Sequence, residues 1–225
     1  MQSPVLIKSF SEPEINLNEI FRYSKSSAFD EAFAEVVKAC ISECIDKLTY
    51  SVCYAEFPID FLNGEIVFPF MRTDSVDLIK NLSGSKSVIV FAATVGLEID
   101  RLIAKYGSIS PVKALAFQAI GAERIESLCN AFCTEAESEY KEKGLYLRPR
   151  FSAGYGDFSL EYQRDIFAAL DCPRKIGLTL NESLIMSPSK SVTAIVGISE
   201  YDDGCEKDGC ESCLKKDCDF KRGLI

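Results

Sequence analysis

The chain has 225 residues, of which 47% are hydrophobic and 26% are charged, a composition typical of an ordinary globular protein. Its formal net charge of -9 would repel a phosphate backbone, so we expect no nucleic-acid partner. It contains no His, which excludes Ser–His–Asp and Cys–His nucleophilic catalysis and any His-ligated metal.

The sequence also lacks the features of a membrane or secreted protein. No apolar run approaches the roughly 18 residues that a transmembrane helix needs, and no basic segment leads into an apolar one near the N-terminus. The sequence therefore predicts a cytoplasmic protein with no membrane partner. In that location the 10 cysteines are not expected to form a disulfide framework.

Two helices are predicted in the N-terminal part of the chain. The first, in NLNEIFRYS, would be capped by Asn16 or Asn18, whose side chains can accept from the N–H groups of a first helical turn. Over residues 27–48, apolar side chains recur three or four positions apart, which indicates a helix with one face in the core. Cys40 and Cys44 lie on that face, and we interpret them as packing residues.

Strands are predicted next. Residues 50–70 are rich in aromatic and β-branched side chains and contain an Asn63-Gly64 pair, which favours a hairpin of two short strands. The continuous apolar run SVIVFAAT at 87–94 is typical of a buried strand, and a helix is expected in the segment GLEIDRLIAKYG that follows.

A long helix is predicted to begin with Ser110 as its cap and Pro111 as its first residue, and to end near Gly144. Gly121 interrupts this helix, where a glycine costs about 1 kcal/mol relative to Ala. We interpret Gly121 as a site of close packing against another element.

The stretch RPRFSAGYGDFSLEYQ combines cationic, aromatic and glycine residues. Gly154 and Gly156 permit a positive φ or a close approach of the backbone to a ligand, and Arg150 can bind a carboxylate through two parallel hydrogen bonds. A ligand-binding loop and a plain glycine-rich turn between helices both fit this composition. Asp157 or Ser159 would cap the helix that follows.

Beyond this loop the sequence predicts short strands and then changes character. Residues 176–180 are expected to form a strand, and the turn SPSK is expected to join an arm at 184–186 to a strand at 192–198 in a hairpin. The chain then becomes polar, charged and rich in cysteine. We therefore expect one domain at residues 1–199 and a cysteine-rich tail at residues 200–225.

Two segments, RFSAGYGDFSLEYQ and IGLTLNESLIMSPSKSVTAIVG, resemble the activation domain of cobalamin-dependent methionine synthase. Arg150, Gly154 and Tyr155 match residues of that family's RPAPGYP-type loop, and Ser152 stands where the family has Ala. Glu182 lies in the second segment, where it would either belong to the pocket or order the hairpin. Upstream, NEIFRYS and FAATVGLEIDRLI are similar to stand-alone bacterial relatives of the domain.

The resemblance implies an α+β fold, with mixed helices packed on a mainly antiparallel sheet, that binds S-adenosylmethionine. It implies that Arg150 grips the carboxylate of the ligand, that Ser152 contacts the ligand through its backbone and that Tyr155 lies beside the sulfonium. Glu123 or Glu126, on the long helix, would supply the anion for the ligand's ammonium group.

The resemblance also implies a role. The chain has no corrinoid-binding His motif, so it would be a stand-alone reactivation subunit that supports reductive methylation of cob(II)alamin. Its partner would be a separate cobalamin-dependent methionine synthase that lacks its own activation domain, with flavodoxin or ferredoxin as electron donor. The alternative is a non-enzymatic module that carries metal or electrons to a corrinoid protein. A conventional methyltransferase is disfavoured because no G-x-G-x-G loop follows an early strand.

Four tail cysteines form the pattern C-x4-C-x2-C-x4-C, namely Cys205, Cys210, Cys213 and Cys218. Four thiolates at this spacing could enclose zinc or an iron–sulfur cluster, and a cluster would have a role in delivering the electron that cob(II)alamin needs. An acidic tail with reducible thiols and a structural disulfide are the other interpretations.

Overall fold

The computed structural model describes residues 4–25 and 31–201, and a mainly antiparallel sheet is its central element. The strands, in chain order, are β1 (Leu6–Phe10), β2 (Tyr50–Pro58), β3 (Asp60–Leu62), β4 (Glu65–Val67), β5 (Arg72–Thr73), β6 (Ser85–Thr94), β7 (Tyr146–Leu147), β8 (Thr179–Leu180), β9 (Met186–Ser187) and β10 (Ser191–Ser199). The helices are α1 (Leu17–Tyr23), α2 (Glu31–Cys44), α3 (Val76–Asn81), α4 (Glu98–Gly107), α5 (Pro111–Glu142), α6 (Gln163–Leu170) and α7 (Cys172–Ile176), and single 3-10 turns lie at Ile45–Lys47 and Leu160–Tyr162.

The central sheet has five strands in the order β1-β2-β6-β10-β7, and each neighbouring pair is antiparallel. Strand β6 lies in the middle, with Val90 opposite Ala55 of β2 on one side and Ile195 of β10 on the other. A strand in this position is covered on both faces, which is why its sequence is a continuous apolar run rather than an alternating one. The predicted buried strand and the predicted α+β class are confirmed.

Helices cover both faces of this sheet. Successive residues of β6 point to opposite faces, so that Phe91 joins a core with α1, α2, α4 and α5, whereas Val90 and Ala92 join a second core with α3, α6 and α7. The small sheets β3-β4-β5 and β8-β9 pack at the edge of the second core. The sheet thus separates two apolar clusters, and the loop after β7 packs Ala153 and Phe158 into the second of them.

The long helix α5 begins at Pro111, as predicted, and ends at Glu142, two residues before Gly144. A Cβ at Gly121 would lie 2.7 Å from Cγ2 of Ile99 on α4 and 2.8 Å from Cγ of Lys190. The predicted close packing at Gly121 is therefore confirmed.

Caps and turns in the first half follow the sequence closely. Asn16 caps α1, because its side chain accepts from the Glu19 N–H at 3.2 Å. Asn63 and Gly64 form the turn between β3 and β4, each with a positive φ. Cys40 and Cys44 are fully buried, as expected of packing residues.

Two predictions in the second half are wrong in part. The expected hairpin between 184–186 and 192–198 does not form, because β9 pairs with β8 and β10 pairs with β6 and β7. A nine-residue apolar strand needs a long neighbour to satisfy its backbone, and the two residues of β9 cannot supply one. Residues 176–180 are a strand only at Thr179–Leu180, since α7 extends to Ile176.

Strand β1 was not expected from the sequence. Leu6–Phe10 forms the edge of the sheet and pairs with β2 along its whole length, with Lys8 opposite Val52. Its side chains are only partly covered, so its residues lack the clear alternation that marks a half-buried strand.

Candidate functional site

The loop that the sequence singled out is fixed to the sheet at its base. Phe151 and Ile195 of β10 exchange both backbone hydrogen bonds at 2.8 Å, and the Arg148 N–H donates to the Gly197 carbonyl at 2.8 Å. The tip is then folded by short turns, in which the Gly154 N–H donates to the Phe158 carbonyl at 2.8 Å. A rigid base and a compact tip are what a loop needs in order to hold side chains in fixed directions.

Arg150 lies against α5 rather than in open solvent. Its Nη2 is 2.5 Å from Oε2 of Glu126 and its Nη1 is 2.7 Å from Oδ1 of Asn130, one helical turn further on. Burial lowers the pKa of Arg150, but neighbouring acidic groups, Cys129 and Glu126 foremost, outweigh it and leave the pKa above its ordinary value. The structure therefore brings together Arg150 and one of the two predicted acids.

Glu123 serves a different group. Its carboxylate accepts from Nε of Arg124 at 2.6 Å, from the Asn16 N–H at 3.0 Å and from the Ser127 hydroxyl at 2.7 Å, and both Glu123 and Arg124 are almost completely buried. Arg124 also donates to the Pro13 carbonyl at 2.6 Å. The pair thus holds the segment before α1 against α5.

That segment forms one wall of an open cleft with a volume of about 520 Å³. The lining residues are Glu14, Ile15, Asn16, Leu17, Asn18 and Ser127. Ser127 directly follows Glu126 on α5, but neither Glu126 nor Arg150 lines the cleft. Sequence reasoning missed this wall, because nothing near Asn16 signals that a buried pair on α5 holds it.

The tip of the loop presents its groups outward. Gly154 has a φ of +92° and Gly156 a φ of +54°, both in the left-handed region that favours glycine. Between them, the Tyr155 ring is 67% exposed. Ser152 is half-buried, and its carbonyl accepts from the Tyr155 N–H at 3.2 Å.

The two predicted helix caps divide between two helices. Ser159 caps the turn before α6, since its side chain accepts from the Glu161 N–H at 3.3 Å. Asp157 turns instead to α3, where it accepts from the Val76 N–H at 2.7 Å and the Asp77 N–H at 3.2 Å. The prediction that Asp157 or Ser159 caps the following helix is therefore confirmed through Ser159, whereas Asp157 binds three donors at the start of α3.

Glu182 lies in the exposed turn between β8 and β9. Its backbone carbonyl accepts from Nη2 of Arg164 on α6 at 2.9 Å. This backbone contact joins the turn to α6, and the role of the Glu182 side chain stays a prediction.

The four tail cysteines lie outside the described residues. Within residues 4–25 and 31–201, no group of three or more His, Cys, Asp or Glu side chains could hold a metal ion. No helix in this part of the chain has the length and apolar character needed to cross a membrane.

Comparison with known proteins finds similarity among solved structures. Neither a family model nor a curated protein matches the sequence. Among solved structures, the MetH reactivation domain bound to AdoHcy matches with a TM-score of 0.66 and 16% sequence identity, over 87% of this chain and 78% of that chain. The chain therefore has the fold of the MetH reactivation domain.

Proposed function

We propose that this protein is a stand-alone reactivation subunit that binds S-adenosylmethionine and supports reductive methylation of cob(II)alamin in a separate cobalamin-dependent methionine synthase. The observation that carries the proposal is the ion pair of Arg150 with Glu126, on a fold shared with a domain whose solved structure holds AdoHcy. The methionine part of the ligand has one carboxylate and one ammonium group. An Arg–Glu pair is the complementary arrangement of charges.

Ligand binding would exchange partners within that pair. Arg150 offers its guanidinium to the ligand carboxylate, and Glu126, at 2.5 Å from Arg150 before binding, is then available to the ammonium group. The side-chain oxygen of Asn130, which now accepts from Arg150, could keep the guanidinium in place during the exchange. Both charges are only partly exposed, which strengthens their interaction with a ligand relative to bulk water.

The surroundings fit a ligand of this class. The exposed ring of Tyr155 can offer an aromatic face to a sulfonium cation, as the resemblance implies. Ser152 and Gly154 contribute backbone groups at the same tip.

The chain's own part in the reaction is positioning. Bound S-adenosylmethionine would supply a sulfonium methyl group to the reduced cobalt of the partner's cobalamin. Arg150 and Glu126 fix the amino-acid end of the ligand, and Tyr155 sets the direction of the sulfonium end. Holding the reacting carbon in line is sufficient when the acceptor is already a strong nucleophile, so no covalent catalyst is needed.

The remaining parts of the proposal concern the rest of the system. We propose a cytoplasmic protein that takes its electron from a flavodoxin or ferredoxin, with a domain boundary near residue 199. The four tail cysteines are proposed to hold zinc or an iron–sulfur cluster. Metal analysis of anaerobically prepared and reconstituted full chain would contradict the tail proposal by finding neither metal in stoichiometric amount.

The deciding experiment adds the full chain, S-adenosylmethionine and reduced flavodoxin to a cobalamin-dependent methionine synthase that lacks its activation domain and is trapped as cob(II)alamin. Turnover should recover, and it should not recover with Arg150→Ala. The matched control is Arg174→Ala, which removes an arginine that is 86% exposed and distant in sequence from the loop. Absence of S-adenosylmethionine binding in calorimetry would overturn the proposal.

A further inference from the structure

The loop at residues 148–163, called the ligand loop below, forms hydrogen bonds from its tip to the start of α3, and α3 forms one in return. The Asp157 carboxylate accepts from the backbone N–H groups of Val76 and Asp77 at 2.7 and 3.2 Å and from the Ser75 hydroxyl. In return, the Asp157 N–H donates to Oδ2 of Asp77 at 3.3 Å. Residues 81 positions apart in sequence thus satisfy the first N–H groups of α3, which have no partner within the helix.

Gly156 makes this approach possible. A Cβ at this position would lie 2.1 Å from Oδ2 of Asp77 and 3.0 Å from its Cγ, so a larger residue would displace the Asp77 carboxylate that accepts from the Asp157 N–H. Its φ of +54° also favours glycine. Two successive residues of the loop, Gly156 and Asp157, therefore determine the close contact with α3.

Helix α3 also holds the base of the same loop. The Asn81 side chain, at the last residue of α3, donates to the Pro149 carbonyl at 3.1 Å. The helix itself is anchored, because Leu78 and Leu82 are fully buried in the second core. A short, well-anchored helix thus contacts the loop at both of its ends.

We propose that α3 holds the ligand loop in one conformation and that Asp157 is the positioning residue that binds the tip of the loop to α3. The part of this inference that concerns ligand rests on the proposed function; the part that concerns loop order does not.

The hydrogen bonds of Asp157 to α3 also affect Tyr155, two residues before Asp157. Tyr155, directly before Gly156, is 67% exposed, although the apolar side chains of Phe158 and Leu160 lie close by in the sequence. Fastening Asp157 keeps the tip from rearranging onto them. A tip that is ordered before the ligand arrives has less conformational entropy to lose on binding, which raises affinity.

Loop order can be measured without any ligand, because the chain contains no Trp. Tyr155→Trp would place a single fluorophore on the tip. In that background we expect Asp157→Ala to lower the acrylamide quenching constant at least twofold, because the released ring can rearrange onto Phe158 and Leu160, and Asp157→Asn, which keeps one acceptor, to give an intermediate value. Ser159→Ala is the matched control, since it removes the neighbouring cap, which does not bond to α3.

Equal quenching in Asp157→Ala and Ser159→Ala would overturn the inference. Circular dichroism establishes that each variant is folded. If Asp157→Ala does not fold, Asp157→Asn and Ser75→Ala are judged by the same comparison with Ser159→Ala, because Ser75 donates to Asp157 from the side of α3.

The ligand half is tested in the chain that retains Tyr155. We expect Asp157→Ala to weaken binding of S-adenosylmethionine at least fivefold in calorimetry, with partial rescue in Asp157→Asn and less than a twofold effect in Ser159→Ala. Unchanged affinity in a variant whose tip is loosened would contradict the positioning role. Absence of binding in the parent chain would instead contradict the proposed function and leave the quenching result intact.

Discussion

Arg150 and Glu126 lie 2.5 Å apart, so the cation of the ligand loop is already neutralised by the long helix before any ligand binds. An intramolecular pair of this kind is a competitor that a ligand must displace. Under the proposed function, a ligand that carries only one of the two charges would bind less tightly, because it would leave the other group without its ionic partner. The site should therefore prefer whole amino-acid groups over simple carboxylates.

Removing the negative charge of Glu126 should weaken ligand binding without disturbing the fold. We expect Glu126→Gln to lower the affinity for S-adenosylmethionine about tenfold, since hydrogen bonds to charged groups contribute about 1.5–3 kcal/mol. Calorimetry measures the change. Glu139→Gln is the matched control, because Glu139 pairs with Lys143 on the exposed surface of the same helix. Equal affinities in the two variants would exclude Glu126 from the site.

Replacing the buried cation on α5 should have a large effect on stability. We expect Arg124→Met to lower the free energy of unfolding by about 3–5 kcal/mol, because it leaves the buried Glu123 carboxylate without its countercharge and two backbone carbonyls without the Arg124 donors. Urea unfolding measures this. Arg101→Met, at a side chain that is 72% exposed, should change little.

The double variant Glu123→Gln with Arg124→Met separates charge from packing. Its loss of stability should be smaller than that of Arg124→Met alone, since the uncompensated charge is gone. A double variant that is as unstable as the sum of both single variants would show that the two side chains act independently.

Gly121→Ala tests the close packing of α5. Alanine would gain up to about 1 kcal/mol in helix propensity, but its Cβ would lie 2.7 Å from Ile99, so we expect a net loss of about 1–2 kcal/mol in thermal or urea unfolding. Gly107→Ala, where a Cβ would meet nothing within 4 Å, should leave stability unchanged or raise it. A stabilised Gly121→Ala would mean that Ile99 and Lys190 move aside at no cost.

Cys44 predicts a dependence of stability on alkaline pH. Burial, with a smaller effect of Cys40, raises the pKa of the Cys44 thiol from 9.0 to about 12. The folded state therefore keeps a proton that the unfolded chain loses, so this contribution is complete below pH 9 and is lost as pH rises toward 12. Urea unfolding between pH 8 and about 10.5 should show a shallower decline in Cys44→Ala than in Ser42→Ala. Parallel declines in the two variants would contradict the burial of this thiol.

Local patterns predicted the elements of the fold better than their pairing. The run at 87–94 and the helix from Pro111 were predictable because continuous or periodic apolar residues specify them directly. The turn SPSK suggested that β10 pairs with the arm before it, whereas its real neighbour β6 begins more than a hundred positions earlier. A contact at that separation leaves no mark in either segment.

The residues of the candidate site were also predictable only in part. Arg150 and Tyr155 could be named from residue type and from the resemblance. The partner of Asp157 could not, because an aspartate just before a helix usually caps that helix, and only the packed fold brings α3 closer. The role of Glu123 was hidden for the same reason, since its contact Asn16 lies 107 positions away.

The position of β10 has a consequence for synthesis. This strand, at Ser191–Ser199, lies inside the sheet between β6 and β7, yet it is made after every other strand within residues 4–25 and 31–201. On the ribosome, β6 therefore emerges with one edge open and stays so while about a hundred further residues are added. Vectorial folding cannot close this sheet from its N-terminal side, so the nascent chain must protect that edge until residue 199 has left the exit tunnel.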